Sequence, residues 1–203
     1  MNYEIINIFP KPIYITKLNR ELTKEELLFI DKTKLDVKKN IGNTSSNDKY
    51  ILNQKIFENL KIDLDLMVKN YFDKIICSAN DIKPYITQSW LNFTETNQYH
   101  SKHRHSNSLI SGVFYINCDE KFDRIGFFKN NYNTIKLKIK EYNFWNAEYW
   151  WLTVKTGDIL LFPSSLTHKV EIRERTDTRI SLAFNVFIKG TIGEYETATE
   201  LKL

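Results

Sequence analysis

The 203-residue chain is 42% hydrophobic and 14% aromatic, enough for a folded domain with a sizeable core and too apolar for a disordered one. Its formal net charge of +4, from 29 basic and 25 acidic residues, is too small and evenly mixed to argue for a nucleic-acid partner on charge alone, and none is expected. The two cysteines, Cys77 and Cys118, lie far apart outside any CxxC spacing; they exclude a cysteine-rich zinc site and suit buried free thiols in a reducing, cytoplasmic compartment.

Residues 3–18 alternate polar and apolar around Pro10 and Pro12, which predicts an edge strand or β-arm, because proline cannot donate to a central ladder. The opening MNYEIINIFPKPIYITKL lacks a basic stretch followed by a continuous apolar run, so no signal peptide is expected, and no segment has the apolar length to cross a membrane. Thr23 followed by Glu26 forms a capping box that opens a short helix through Leu27, Leu28 and Ile30. Residues 40–49 read as a polar loop. From Gln54 to Ile76, Phe57, Leu60, Leu64, Met67, Val68, Tyr71, Phe72 and Ile75 recur at helical spacing, predicting a long amphipathic helix whose stripe packs on a sheet.

After Pro84 the pattern changes to short runs rich in β-branched and aromatic residues: YITQSWLNF, SLISGVFYIN, RIGFFK, WWLTV, DILLFP, HKVEI and RISLAFNVFI. Strands at this spacing predict a sandwich or barrel-like fold, and with helices confined to the first third the class is α+β. Low glycine and proline content leaves little room for a linker. A single domain is expected, with a β-arm and helices over 1–83, the β core over 84–190 and a tail over 191–203. Segment 130–151, rich in aromatics and lysines, reads either as a lid over a substrate site or as two strands packed outside.

All four histidines fall in two places: His100, His103 and His105 in HSKHRH, and His168 in FPSSLTHKV. On a strand, residues two apart share a face, so His103 and His105 can address one ion. His168, opening the run HKVEI, supplies a third ligand if its strand lies beside theirs, and such a set leaves coordination positions open for reaction. An isolated HxH is a weak signal; the distant third histidine strengthens it. Arg179 and Ser181 share a strand face further on. Facing inward, the planar guanidinium fork matches a carboxylate and the hydroxyl adds a bond; facing outward, Arg179 is an ordinary surface residue.

The ordered set SWLN, HRHSNSLISGVFYI, GDILLFPSSLTHKV and RISLAFNVFIKG resembles the iron(II)/2-oxoglutarate-dependent oxygenases, and more narrowly a group of them frequent in bacteriophages and marine bacteria. The motifs cover about residues 84–190, and the opening FPKPIY is similar to that group as well. The resemblance implies a double-stranded β-helix, a cupin-like jelly roll, with helices packed outside it. It implies Fe(II) held by His103, His105 and His168, and 2-oxoglutarate with its distal carboxylate on Arg179 and Ser181. Tyr115 stands where prolyl-hydroxylase-like members place a tyrosine on that carboxylate. Asn92 and Trp90 are further candidates for the pocket, Trp90 equally for the core. The implied reaction consumes molecular oxygen and 2-oxoglutarate to hydroxylate a substrate, either a small molecule or a protein side chain.

His105 departs from the family's usual pattern, in which the second position of the motif is a carboxylate. A neutral three-histidine set suits Fe(II) and equally Zn(II) or Cu(II). His100, at an odd offset from His103, should lie on the opposite face of a regular strand, and Asp119, Asp123 and Glu95 remain as late carboxylate ligands. Three other readings stay open: a three-histidine metalloenzyme that does not use 2-oxoglutarate, a non-catalytic jelly-roll binding or virion-associated module, and a zinc hydrolase.

Overall fold

The computed structural model describes residues 1–130 and 135–203. Its elements in chain order begin with strand β1 (Tyr14–Lys17), helix α1 (Lys24–Thr33), β2 (Val37–Lys39) and β3 (Thr44–Ser46). Two short 3-10 turns lead into α2 (Glu58–Tyr71), followed by β4 (Ile82–Thr94), β5 (His100–His103), β6 (Ile110–Asn117) and β7 (Arg124–Phe128). The chain closes with β8 (Tyr149–Thr153), β9 (Asp158–Pro163), β10 (His168–Val170), β11 (Arg179–Ile192) and β12 (Leu201–Lys202).

The strands form two antiparallel sheets. The larger runs β1-β9-β6-β11-β4-β3-β2, with β12 paired to β11, and the smaller runs β5-β10-β7-β8. All seven apolar runs read from the sequence become strands, β4 and β6 to β11. β1 sits at the edge of the large sheet, just past Pro10 and Pro12, where the missing donors cost nothing.

The central strands of the large sheet are covered on both faces, which explains their near-continuous hydrophobicity. Ile180, Leu182, Phe184 and Val186 of β11 join Phe114 of β6 and Ile159 and Leu161 of β9 in a core shared with the helices. Alternate residues, Tyr115, Leu160 and Phe162, meet Ile125 and Phe127 of β7 in a second core between the sheets. α1 opens with the expected capping box: Thr23 Oγ1 accepts from the Glu26 amide, and the Glu26 carboxylate accepts from the Thr23 amide. α2 contributes Leu60, Leu64, Val68 and Tyr71 to the first core, as its stripe predicted. Its last turn widens into a π-helix (Phe72–Ile76), and Cys77, in left-handed conformation at φ 49°, ends it with its amide on the Phe72 carbonyl at 2.8 Å.

Three expectations need correction. Residues 40–49 are not all loop: β2 and β3 form a hairpin that extends the large sheet beside β4. Thr44, Ser45 and Ser46 carry no hydrophobic alternation to signal a strand, and two are buried through hydrogen bonds instead, Ser46 Oγ accepting the Leu91 amide at 3.1 Å. Cys77 is exposed rather than buried, because the residue that terminates the helix turns outward. Within segment 130–151, residues 131–134 lie outside the described residues, 135–148 contain no strand, and β8 pairs with β7 at the edge of the small sheet.

Leu64 is fully buried between α2 and the sheet. Leu64→Ala should lower unfolding free energy by about 2–5 kcal/mol, read from urea denaturation, whereas the exposed neighbour Leu66→Ala should cost little.

Candidate metal centre

β10 lies between β5 and β7, and its first residue, His168, pairs directly across the ladder with His103. Directly paired residues project from the same face, so their rings meet, with centroids 4.2 Å apart. His105 lies two residues past the end of β5, where its amide donates to the Ser164 carbonyl at 3.1 Å and brings the ring back to 5.2 Å from His103 and 5.3 Å from His168. One ring nitrogen from each of the three lies within 4.8 Å of the other two.

The rings are oriented by their other nitrogens. His103 Nδ1 lies 2.6 Å from the Ser101 carbonyl, His168 Nδ1 3.0 Å from the Leu166 carbonyl, and His105 Nδ1 2.6 Å from Asn185 Oδ1. A carbonyl oxygen only accepts, so each neutral ring carries its proton on Nδ1 and presents a lone pair on Nε2. This is the state a metal requires. Burial, together with the like charge a second imidazolium would meet, pushes His168 down to about 3 and lowers His103 and His105.

His100 is not on the far face. Between His168 and Val170 on β10, two residue steps are matched by three on β5, from His103 to His100, which is a bulge. The extra residue restores parity, and the His100 ring stacks on His103 at 4.2 Å. Its Nε2 accepts from Asn40 Nδ2 at 3.3 Å, and burial pushes it down to about 3. The three late carboxylate candidates are engaged elsewhere: Glu95 with Lys34, Asp119 with Arg175, and Asp123 with Arg173.

On the facing sheet a single rung crosses three strands: Asn92 of β4 opposes Ser181 of β11, which opposes Tyr115 of β6. Arg179, one same-face step away, is only 4% exposed and lines one cavity together with that rung and the histidines. The guanidinium donates to Thr94 Oγ1 at 3.1 Å and lies 3.6 Å from Asp123 Oδ1. Tyr115 Oη and Asn92 Oδ1 are buried with no hydrogen-bond partner among the described residues. Burial raises the Tyr115 phenol, so it stays a protonated donor. Two orphaned polar groups beside a guanidinium with donors to spare fit an anionic ligand that would satisfy all of them. Trp90 lines the cavity and stacks on His105 at 5.7 Å, so it belongs to the site wall rather than to the core alone.

Sequence reasoning missed Arg173 and Asn185 and offered Asp123 only as a metal ligand, not as a buried counter-charge. Arg173, 1% exposed, grips the equally buried Asp123 through Nη1 at 2.5 and 2.7 Å, and Asp123 in turn faces Arg179. In EIRER, Arg173 looks like one of several surface charges. Asn185, which orients His105, did leave a signal: it follows Arg179, Ser181 and Ala183 on the polar side of an otherwise apolar strand.

Residues 88–185 match the family model described as "Putative 2OG-Fe(II) oxygenase". Among curated proteins, none matches the chain in sequence. Among solved structures, an oxidoreductase of the 2OG-Fe(II) oxygenase family from Burkholderia pseudomallei is 12% identical, with 85% of this chain and 83% of that one covered and a TM-score of 0.55. HygX from Streptomyces hygroscopicus, solved with nickel, 2-oxoglutarate and hygromycin B, is 10% identical over 87% and 82% of the two chains, TM-score 0.56. A Pseudomonas putida prolyl-4-hydroxylase is 11% identical over 86% and 92%, TM-score 0.54. At such identities the structures establish a shared fold. The sequence match to the 2OG-Fe(II) oxygenase model lies over the β core and takes in just under half of the chain.

Two measurements check this geometry. Asp123→Ala leaves Arg173 and Arg179 without their shared buried counter-charge and should cost about 3 kcal/mol or more in urea unfolding. In the chelator-treated chain, the buried imidazoles bind protons more weakly folded than unfolded, where their pKa is about 6.5. Stability should therefore fall as pH drops from about 6.5 toward 3, and less steeply in His100→Gln, as thermal melts across that range would show.

Proposed function

We infer that His103, His105 and His168 hold Fe(II) and that Arg179, Ser181, Tyr115 and Asn92 receive the distal carboxylate of 2-oxoglutarate, in an oxygenase that hydroxylates an unidentified substrate. The observation that carries this reading is one cavity walled by three free imidazole lone pairs at one end and by a buried guanidinium with two unpartnered polar groups at the other. A dicarboxylate with a metal-chelating keto-acid end matches that polarity. Bound together, iron and 2-oxoglutarate would supply the oxidising chemistry, drawing on molecular oxygen and the decarboxylation of the cofactor.

The chain's own residues bind and orient. Carbonyls behind His103 and His168 and the amide of Asn185 behind His105 fix the tautomers. Arg179 is held in place by Thr94 and Asp123, so its remaining donors are aimed before any ligand arrives. The all-imidazole set brings no negative charge to a divalent ion, and the 2-oxoglutarate dianion balances it.

We read the two facing sheets as a double-stranded β-helix with α1 and α2 outside it, in a single domain. The finer affiliation with bacteriophage and marine-bacterial oxygenases, working in a cytoplasm, rests on the motif resemblance and on two free cysteines. Among the described residues, no helix is long and apolar enough to cross a membrane. The absence of a carboxylate from the histidine cluster also favours a second reading, a three-histidine metalloenzyme independent of 2-oxoglutarate.

With Mn(II) present, 2-oxoglutarate at one hundred times its Kd should stabilise the chain by about 2.7 kcal/mol in thermal melts. Arg179→Ala should abolish that shift while metal content is kept, and His103→Ala should lose both. Anaerobic Fe(II) with 2-oxoglutarate should develop a visible charge-transfer band. Metal uptake without any response to 2-oxoglutarate would select the second reading.

A further inference from the structure

A groove of about 330 Å³ opens onto the histidine cluster from the side of the β2–β3 hairpin. His100, His103, His105 and Trp90 line both this groove and the inner cavity, so the two are continuous, whereas Arg179 lines only the inner one. Lys38, Lys39 and Lys49 line the groove, and no acidic residue does. Among the described residues, none of these three lysines forms a salt bridge, although Lys34, Lys69, Lys155, Lys169 and Lys202 all do.

The register shows why the lysine charge points here. Lys38 opposes Ser45, and Ser45 opposes Asn92, which continues the rung through Ser181 to Tyr115. Residues directly opposite in neighbouring strands project from one face, so Lys38 leaves the sheet on the side of the cofactor pocket. Lys49 is held beside it, its ammonium donating to Ser45 Oγ at 2.9 Å and the Ser46 carbonyl at 2.7 Å. The nearest acid in sequence, Asp48, accepts from the Tyr50 amide at 2.7 Å and from Gln54 at 2.9 Å. Burial and then the charge of Lys38 push Lys49 down to about 8, with Asp48 opposing weakly. Like charges gathered against each other at the mouth of a site are relieved when an anion binds between them.

We propose that this groove receives an anionic group of the substrate, a phosphoryl or carboxylate group, on Lys38 and Lys49, and so presents the rest of the molecule to the histidine cluster. This rests on the reading of the cluster as a metal centre, and it narrows the substrate to oxyanion-bearing small molecules. Lysine ammoniums act as mobile point charges suited to either oxyanion, while the rigid fork of Arg179 is reserved for the cofactor deeper in.

The test uses the full chain with Mn(II) and saturating 2-oxoglutarate and follows the phosphorus NMR relaxation of methylphosphonate, with carbon-labelled acetate in a parallel arm. Relaxation of the bound probe should be enhanced by the nearby Mn(II), and binding should weaken with added salt. Lys38→Glu, at an exposed position, should fold normally and weaken binding about tenfold or more, and Lys49→Ala should do the same. The probe held more tightly names the group, phosphoryl or carboxylate. Relaxation equal to that of free probe, or an enhancement that Lys38→Glu leaves intact, would overturn the proposal. A chain that takes up no Mn(II), yet still broadens the probe signal in a lysine-dependent way when metal-free, would keep the anion groove and overturn the metal centre instead.

Discussion

The site depends on one cross-strand pair, His168 opposite His103. Their alignment on neighbouring strands of the small sheet sets two imidazoles on one face without help from any loop, and the turn anchored by the Ser164 carbonyl adds His105. Phe127 and Phe162 pack around His168, keeping water from the inner side of its ring. The price of burying so many imidazoles is that none can hold a proton readily, and this same depression keeps their lone pairs available. The histidines come from the small sheet and the turn after β5, and Arg179, Ser181, Tyr115 and Asn92 come from the large sheet, so the cavity they share exists only where the two faces meet.

Charge is arranged in graded order across that meeting. Arg173 and Arg179 share Asp123, a buried cluster with one more cation than carboxylates apart from the half-exposed Asp177. Toward the mouth, burial keeps the histidines neutral, and beyond them lie Lys38 and Lys49, which have no acidic partner among the described residues. A divalent ion at the centre would leave the whole track positive. That field favours anions, and the rung from Tyr115 to Lys38 runs from the inner cavity to its entrance in a single layer of side chains.

The strands were legible because their hydrophobic runs are bounded by turn residues, and the helices because of the Thr23–Glu26 box and the Phe57–Ile75 stripe. The β2–β3 hairpin was not, since Ser45 and Ser46 are buried by hydrogen bonds that leave no periodic trace. His103, His168 and Arg179 could be singled out by alternation and by their setting in apolar runs, whereas His105, expected on the same strand face as His103, lies past the end of β5 and is aimed by the turn at Ser164. His100 was misplaced because a bulge inverts the parity on which alternation depends, and a bulge of this kind has no signature in HSKHRH. The pairing of Arg173 with Asp123 was illegible for another reason: fifty residues apart, nothing in the sequence joins them until the fold does.

The most direct test of the account is X-ray absorption at the iron edge of the chain loaded with Fe(II) and 2-oxoglutarate under exclusion of oxygen. The account predicts outer-shell scattering from three imidazoles, falling to two in His168→Ala. A shell containing a protein carboxylate, or one that His168→Ala leaves unchanged, would contradict it.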